Sequence, residues 1–125
     1  MILDTNAVSS LADEDTALIR VLGSPRQHHL PVVVIGEYAF GIAASRPEQE
    51  LRSWLTDLIS ESIVLPMELE TARYYARVRN ELKRAGKPIP VNDLWIAALA
   101  RQHALPIISR DAHFDSVSGV QRVSW

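Results

Sequence analysis

The chain has 125 residues, 47% of them hydrophobic and 22% charged, ordinary globular proportions that exclude a disordered segment and fit one domain rather than two. It contains no cysteine, which excludes a disulfide scaffold, a thiolate metal site and cysteine catalysis. Thirteen Lys and Arg against fifteen Asp and Glu give a formal charge of -2, which argues against holding nucleic acid by bulk charge alone.

In chain order, Ile2-Leu3 reads as a short strand ending at Asp4, followed by short helices over Asn6–Leu11 and Asp15–Leu22. Gly23-Ser24-Pro25 is stop punctuation for the second. His28–Leu30 predicts a strand. The β-branched run Val32-Val33-Val34-Ile35 favours strand by propensity. Pro31, however, suits the first position of a helix, so a helix from Pro31 to Ala44 is preferred. On either reading Glu37 falls close behind the carboxyl end of a strand.

Glu48–Ser60 is an amphipathic helix with Leu51, Leu55, Leu58 and Ile59 inward. Ile63-Val64-Leu65 is a strand stopped by Pro66. Glu68–Ala85 is a long helix whose inward positions are Ala72, Tyr75, Val78, Leu82 and Ala85, and Gly86 ends it. After Pro88 and Pro90, Asn92 is expected to cap a helix from Asp93 to Ala104. That helix is apolar almost all round and therefore buried on most sides. Strands at Pro106–Ser109 and Val120–Trp125 close the chain.

The longest apolar runs, Leu30–Ile35 and Leu94–Ala100, are too short to span a bilayer. Met1-Ile2-Leu3-Asp4 carries no charged-then-apolar leader. A soluble protein working in the cytoplasm, with no membrane partner, is expected.

Short apolar strands separated by helices imply a parallel sheet with helices on both faces. Ligands of such sheets bind beyond the carboxyl ends of the strands. The residues there are carboxylates: Asp4 after the first strand, Glu37 after the second and Asp111 after Ile107–Ser109. Asp93 opens the buried helix, where the partial positive charge of the N-terminus favours an anion. Two like charges about 4 Å apart repel by about 4 kcal/mol at an effective dielectric near 20. Four acids gathered at one edge therefore need either protonation or a cation. Oxygen donors without cysteine or clustered histidine point to Mg²⁺ or Mn²⁺.

Each acid also has a purely structural reading. Asp4 and Asp93 can serve as helix-start groups, and Asp111 can sit in a solvated loop. Glu37, among Val34, Ile35, Tyr38 and Phe40, is harder to explain in that way.

Four segments in order carry a resemblance: Ile2-Leu3-Asp4-Thr5-Asn6, Gly36-Glu37-Tyr38-Ala39-Phe40-Gly41-Ile42, Asn92-Asp93-Leu94-Trp95-Ile96-Ala97-Ala98 and Ser109-Arg110-Asp111-Ala112-His113-Phe114. They resemble the ordered motifs of PIN domains, and most of all the VapC-type toxins of toxin–antitoxin pairs. The likeness covers essentially the whole chain. It implies a single domain over residues 1–125 with a three-layer α/β/α fold and a central, mostly parallel sheet.

The resemblance further implies a metal-dependent ribonuclease toxin using Mg²⁺ or Mn²⁺, a cognate small antitoxin and a homodimer. The family's acids match Asp4, Glu37, Asp93 and Asp111 as catalytic and metal-binding residues. Its hydroxyl and amide helpers match Thr5, Asn6 and Ser109, and Asp115 is a looser supporting candidate. The chain departs from the pattern at Ala7, where the family usually has a larger apolar residue. It also departs in its thin first strand, which leaves room for a native start upstream of Met1.

Arg73, Arg77, Asn80 and Arg84 fall within roughly 60° of one another on a helix, and Lys87 lies just past its end. The stripe suits RNA phosphates or an acidic partner, and equally a solvated face. His28, His29, His103 and His113 show no ligand spacing and read as structural or surface groups, with a role supporting Asp111 open to His113. Trp54, Tyr74 and Trp125 fit either an interface or the core.

Rival functions fit less well. A phosphoacceptor receiver domain needs an aspartate after the middle strand and a well-placed lysine. Here Pro66-Met67 follow Leu65, and Lys83 and Lys87 are misplaced. A haloacid-dehalogenase-like phosphatase needs an aspartate where Asn6 stands. A PIN-like module that binds RNA without cutting it stays open.

Overall fold

The computed structural model describes residues 1–23 and 27–125. Among these residues, five strands form one sheet: β1 (Ile2–Leu3), β2 (His29–Pro31), β3 (Ile63–Leu65), β4 (Ile107–Ile108) and β5 (Arg122–Val123). Six helices are α1 (Thr5–Ala12), α2 (Thr16–Leu22), α3 (Val32–Ile42), α4 (Glu48–Glu61), α5 (Leu69–Arg84) and α6 (Val91–His103). A 3₁₀ turn spans Ala112–Ser116.

The sheet order is β3-β2-β1-β4-β5 and every described pairing is parallel. The expected "mostly parallel" sheet is thus wholly parallel in the described residues. The chain winds outward from β1 through β2 to β3, then crosses back to β4 beside β1. Right-handed crossovers place α1–α4 on one face and α5–α6 on the other, giving three layers. The winding reverses between β1 and β4, and the crevice above that reversal is where open sheets bind ligands.

Local chemistry explains most boundaries. Asp4 caps α1 by accepting from Thr5 N at 2.7 Å. Asp15 caps α2 by accepting from Ala17 N and Leu18 N at 2.9 and 3.2 Å. Ser24 and Pro25, expected to stop α2, lie outside the described residues, and Gly23 takes a positive φ of 69° at its end, a conformation natural to glycine.

Two expected caps are corrected. Pro31 is not the first residue of α3. It ends β2 opposite Leu65 and precedes the helix in extended conformation. Asn92 does not cap α6, because Pro90 already occupies that place and the helix begins at Val91. Proline's fixed φ and missing N–H suit it to a helix start.

The inward face of α5 is also shifted. Ala72 and Ala85 are exposed, and buried Thr71 stands with Val78 and Leu82. Thr71 Oγ1 donates to Gln102 Oε1 at 2.6 Å and accepts from Glu68 N, so a polar side chain joins α5 to α6 without an unpaired group.

Ile2, Leu3, Leu30, Ile107 and Ile108 are wholly buried in the sheet, with Ile96 and Leu99 of α6 and Phe114 of the 3₁₀ turn. Each such side chain contributes about 1.5–3 kcal/mol of burial. Ala97 and Ala98, also buried, let α6 lie close to its neighbours. The ring of Trp95 stacks on Tyr75 of α5 at 4.0 Å. Among the described residues no helix is long and apolar enough to cross a membrane.

Candidate active site

The strand ends deliver the acids. Asp4 follows β1, Ser109 ends the β4 run, Asp111 starts the 3₁₀ turn, Glu37 lies on α3 after β2, and Asp93 sits in the first turn of α6. Asp4, Glu37, Asp93 and Asp111, with Thr5, Asn6 and Ser9, line one open cleft of 340 Å³. A depression of similar volume between α5 and the start of α6 is lined by Arg79, Leu82, Lys83, Pro88, Ile89, Val91 and Leu94 and offers no carboxylate.

Asp4 forms the floor. It is only 4% exposed, and hydrogen bonds hold both of its oxygens. Oδ1 accepts from Thr5 N, and Oδ2 accepts from Ser109 Oγ at 2.6 Å and Asn6 Nδ2 at 2.9 Å. The Ser109 hydroxyl also accepts from Asp111 N at 2.9 Å and from Asn6 Nδ2 at 3.1 Å. Asn6 Oδ1 accepts from Arg110 N at 3.2 Å. On the opposite wall, Thr5 Oγ1 donates to Glu37 Oε2 at 2.6 Å. The three helper residues read from the sequence therefore each bond an acid of the cleft directly.

Burial and neighbouring charge shift two of the acids, Asp4 and Asp93. Burial pushes the Asp4 carboxyl up. Hydrogen bonds from Ser109 and Thr5 oppose this, and the charges of Asp111 and Glu37 add to the rise. Burial likewise raises Asp93, to about 6, with His113 opposing and Asp4 and Asp111 adding. Asp4 and Asp93 are thus both disfavoured as isolated anions, the condition a bound cation relieves.

His113 was not among the residues assigned to the site. Its Nδ1 lies 3.1 Å from Asp93 Oδ2 and 2.9 Å from Asp111 Oδ1, and its backbone N donates to Asp111 Oδ1 at 2.9 Å. The contact with Asp93 raises the imidazole pKa above the usual value. A donor atom from each of Asp93, Asp111 and His113 lies within 4.8 Å of the others. At that separation two carboxylates repel by about 3.5 kcal/mol at an effective dielectric of 20.

Asp115 stands outside the cleft lining. Arg122 grips both its oxygens at 2.8 and 2.7 Å and donates from Nη1 to the Ser109 carbonyl at 3.1 Å. Its link to the site is that backbone tie. Arg110, between Ser109 and Asp111, bonds Asp15 Oδ2 at 2.8 Å and covers the Trp125 ring at 4.5 Å. Trp125 Nε1 donates to the same Asp15 oxygen, which ties the final segment to the loop bearing Asp111.

The basic stripe lies elsewhere. Arg73, Arg77, Arg84 and Lys87 are exposed on α5 and just beyond it, and none lines the cleft. Arg73 pairs with Glu70 at 3.0 Å, and Arg77 covers the Tyr74 ring at 5.4 Å. Trp54 packs against Tyr38 at 5.9 Å, next to the core.

A parallel sheet with carboxylates from four separate segments at its switch point defines an α/β domain built around an acidic cleft. The family model for the PIN domain matches residues 1–120. Ribonuclease VapC5 of Mycobacterium tuberculosis is 33% identical over 127 residues, covering 98% of this chain and 90% of that protein. The crystal structure of FitAcB from Neisseria gonorrhoeae superimposes with a TM-score of 0.87 at 26% identity, covering 97% of this chain and 94% of the other. VapBC2 from Rickettsia felis, bound to a DNA fragment from its promoter, shares the fold with a TM-score of 0.88 at 20% identity, covering 99% and 97%. The chain belongs to the PIN domain family.

Proposed function

We propose that this chain is the ribonuclease toxin of a type II toxin–antitoxin pair. On this reading residues 1–125 act as one catalytic domain in the cytoplasm, and Mg²⁺ or Mn²⁺ is the cofactor. One observation carries the reading: Asp4, Glu37, Asp93 and Asp111, brought from four segments, line one cleft. The relative named as a ribonuclease supports it, as does the 31% identical VapBC-5 of Mycobacterium tuberculosis, a member of the VapBC family of toxin-antitoxin systems.

The donor set fits a hard divalent cation. Carboxylate oxygens predominate, and burial raises two of the four acids as bare groups. Asp4, Asp93, Asp111 and Glu37 would hold the ion. When bound, such an ion stabilises charge on the phosphoryl oxygens and acidifies a water.

The chain's own residues do the rest. Ser109, Asn6 and the Thr5 amide fix Asp4 in one rotamer, so that its position does not relax when a phosphate approaches. Thr5 steers Glu37 across the cleft, where its carboxylate is placed to orient the attacking water in line with the scissile bond. With water as nucleophile the 3′ oxygen leaves, and the ends are 5′-phosphate and 3′-hydroxyl.

The antitoxin belongs to the same proposal: a basic side chain reaching the acids would satisfy the charges that the cation otherwise neutralises. A homodimer is supported by the resemblance and by Phe40 of α3, an aromatic side chain left 84% exposed. Arg73, Arg77, Arg84 and Lys87 remain candidates for RNA or partner contact.

Sequencing of RNA ends from purified protein with Mg²⁺ or Mn²⁺ tests the reaction. Internal cuts with 5′-phosphate ends, absent in Asp4→Asn, are expected. Cyclic phosphate ends, or cutting by the variant at the normal rate, would overturn the reading.

A further inference from the structure

His113 is placed by two independent anchors. The next residue, Phe114, is wholly buried and fixes the 3₁₀ turn in the core. Asp111 caps that turn by accepting the His113 amide. The imidazole is thereby held between two carboxylates that come from different elements, Asp93 on α6 and Asp111 at the turn. Two ligands on one first-row ion, each about 2.1 Å from it, sit roughly 3–4 Å apart. The three donor atoms here, all within 4.8 Å of one another, already approach that spacing. His113 is half exposed, at 49% of its side chain, so small side-chain rotations can close the remainder.

Ligand chemistry then separates the candidate ions. Carboxylate and water donors suit Mg²⁺ and Mn²⁺ alike, whereas imidazole suits first-row transition metals, and Mg²⁺ keeps to oxygen and its own waters. We propose that His113 completes the divalent-cation site as a nitrogen donor through Nδ1, beside Asp93 and Asp111, and so tilts the site from Mg²⁺ toward Mn²⁺. The proposal rests on the reading of this cleft as a cation site and deepens it by naming a donor and a preference.

The test needs no turnover. Mn²⁺ is titrated into the full chain and followed by the loss of its free electron-paramagnetic-resonance signal, and Mg²⁺ affinity is read by competition. Pulsed measurements on the bound ion look for ¹⁴N coupling from a coordinated imidazole. Wild type is expected to show that coupling, and His113→Gln and His113→Ala to lose it. Both variants should bind Mn²⁺ about ten-fold more weakly, the size of effect seen when a metal's supporting groups are removed, while Mg²⁺ affinity changes less than two-fold.

Bound Mn²⁺ without ¹⁴N coupling in the wild type would overturn the assignment, as would an equal loss of Mn²⁺ and Mg²⁺ affinity in both variants. A wild type that binds no Mn²⁺ would overturn it too, and RNA cleavage with Mg²⁺ would then leave the nuclease reading standing. Nitrogen-coordinated Mn²⁺ in a protein that cuts no RNA would support the donor assignment and sink the nuclease reading instead.

Discussion

Ser109 Oγ donates to Asp4 Oδ2 at 2.6 Å, joining the ends of β4 and β1 across 105 positions of sequence. The same hydroxyl accepts from Asp111 N and Asn6 Nδ2, so one buried atom links two acids and an amide. Ser109→Ala should therefore lower stability by about 1–3 kcal/mol, because buried polar groups lose their partner. Cleavage should fall about ten-fold or more, as for lost support of a metal ligand. Urea unfolding beside an RNA assay measures both, and a variant unchanged in each would remove Ser109 from the site.

Asp93→Asn separates function from stability. Asp93 is a half-buried acid pushed up to about 6, so its ionisation at neutral pH opposes folding of the metal-free chain. The variant should lose cleavage while gaining about 1–2 kcal/mol at pH 7.5, after discounting for solvent screening and the lost His113 contact. Asp4→Asn should also lose cleavage without the same gain. Its Oδ2 accepts two donors, and an amide nitrogen placed there would face Asn6 Nδ2. Melting curves in EDTA, with activity measured in parallel, distinguish the two; cleavage at the normal rate by either variant contradicts the assigned roles.

The pH response follows from the same groups. Asp93 has a folded pKa of about 6 against 3.8 for the free side chain, so the neutral acid favours the fold. That contribution is complete below about pH 4 and is lost as pH rises through about 6. His113, raised from 6.5, contributes below its ordinary pKa and loses that contribution as pH rises through its elevated value. Both slopes have one sign, while His28 and His29, lowered by burial, act in the opposite sense below their ordinary pKa, so the metal-free melting temperature of the wild type should fall more, or rise less, with rising pH than that of Asp93→Asn. Asp15, Glu81 and Asp115, held low by hydrogen bonds, lose their contributions only at more acid pH. An identical pH profile in wild type and Asp93→Asn would contradict the assignment.

Chelation should stop cleavage and divalent ions restore it, with 5′-phosphate at the new ends. Capillary analysis of end-labelled RNA after EDTA and after Mg²⁺ or Mn²⁺ addition measures this. Undiminished cutting in EDTA would exclude a metal-dependent site.

An antitoxin that inserts Arg or Lys among Asp4, Glu37 and Asp93 should compete with the ion. Co-purification with the product of the neighbouring reading frame, then Arg→Ala and Lys→Ala substitutions in its bound segment, tests this. If inhibition survives loss of every basic residue there, the charge-neutralising mechanism is wrong.

The four acids were legible because the rule behind them is topological: parallel strands put ligand groups after their carboxyl ends, and short apolar runs mark those ends. Asp4, Glu37, Asp93 and Asp111 need no side-chain detail to be gathered there. His113 was not legible as a partner of Asp93. No histidine spacing announces it, and the contact depends on how the buried Phe114 sets the turn against α6. The inward turn of Thr71 instead of Ala72 was hidden for a similar reason. A threonine enters a core only when partners such as Glu68 N and Gln102 are present, and helical periodicity does not report partners. Asn92 misled as a cap because proline at position 90 does that work without a side-chain hydrogen bond.

The sheet pairing of Ile2 with Ile107 and Leu3 with Ile108 has a consequence for the order in which the cleft is assembled. The floor of the acidic cleft is a junction between segments 105 positions apart, and contacts so distant in sequence form late in folding. Before β1 and β4 pair, Asp4 stands without the Ser109 hydroxyl and Asp111 is apart from the other three acids. The cleft is therefore assembled among the last features of the fold, and a partner already present at that moment meets it as it closes.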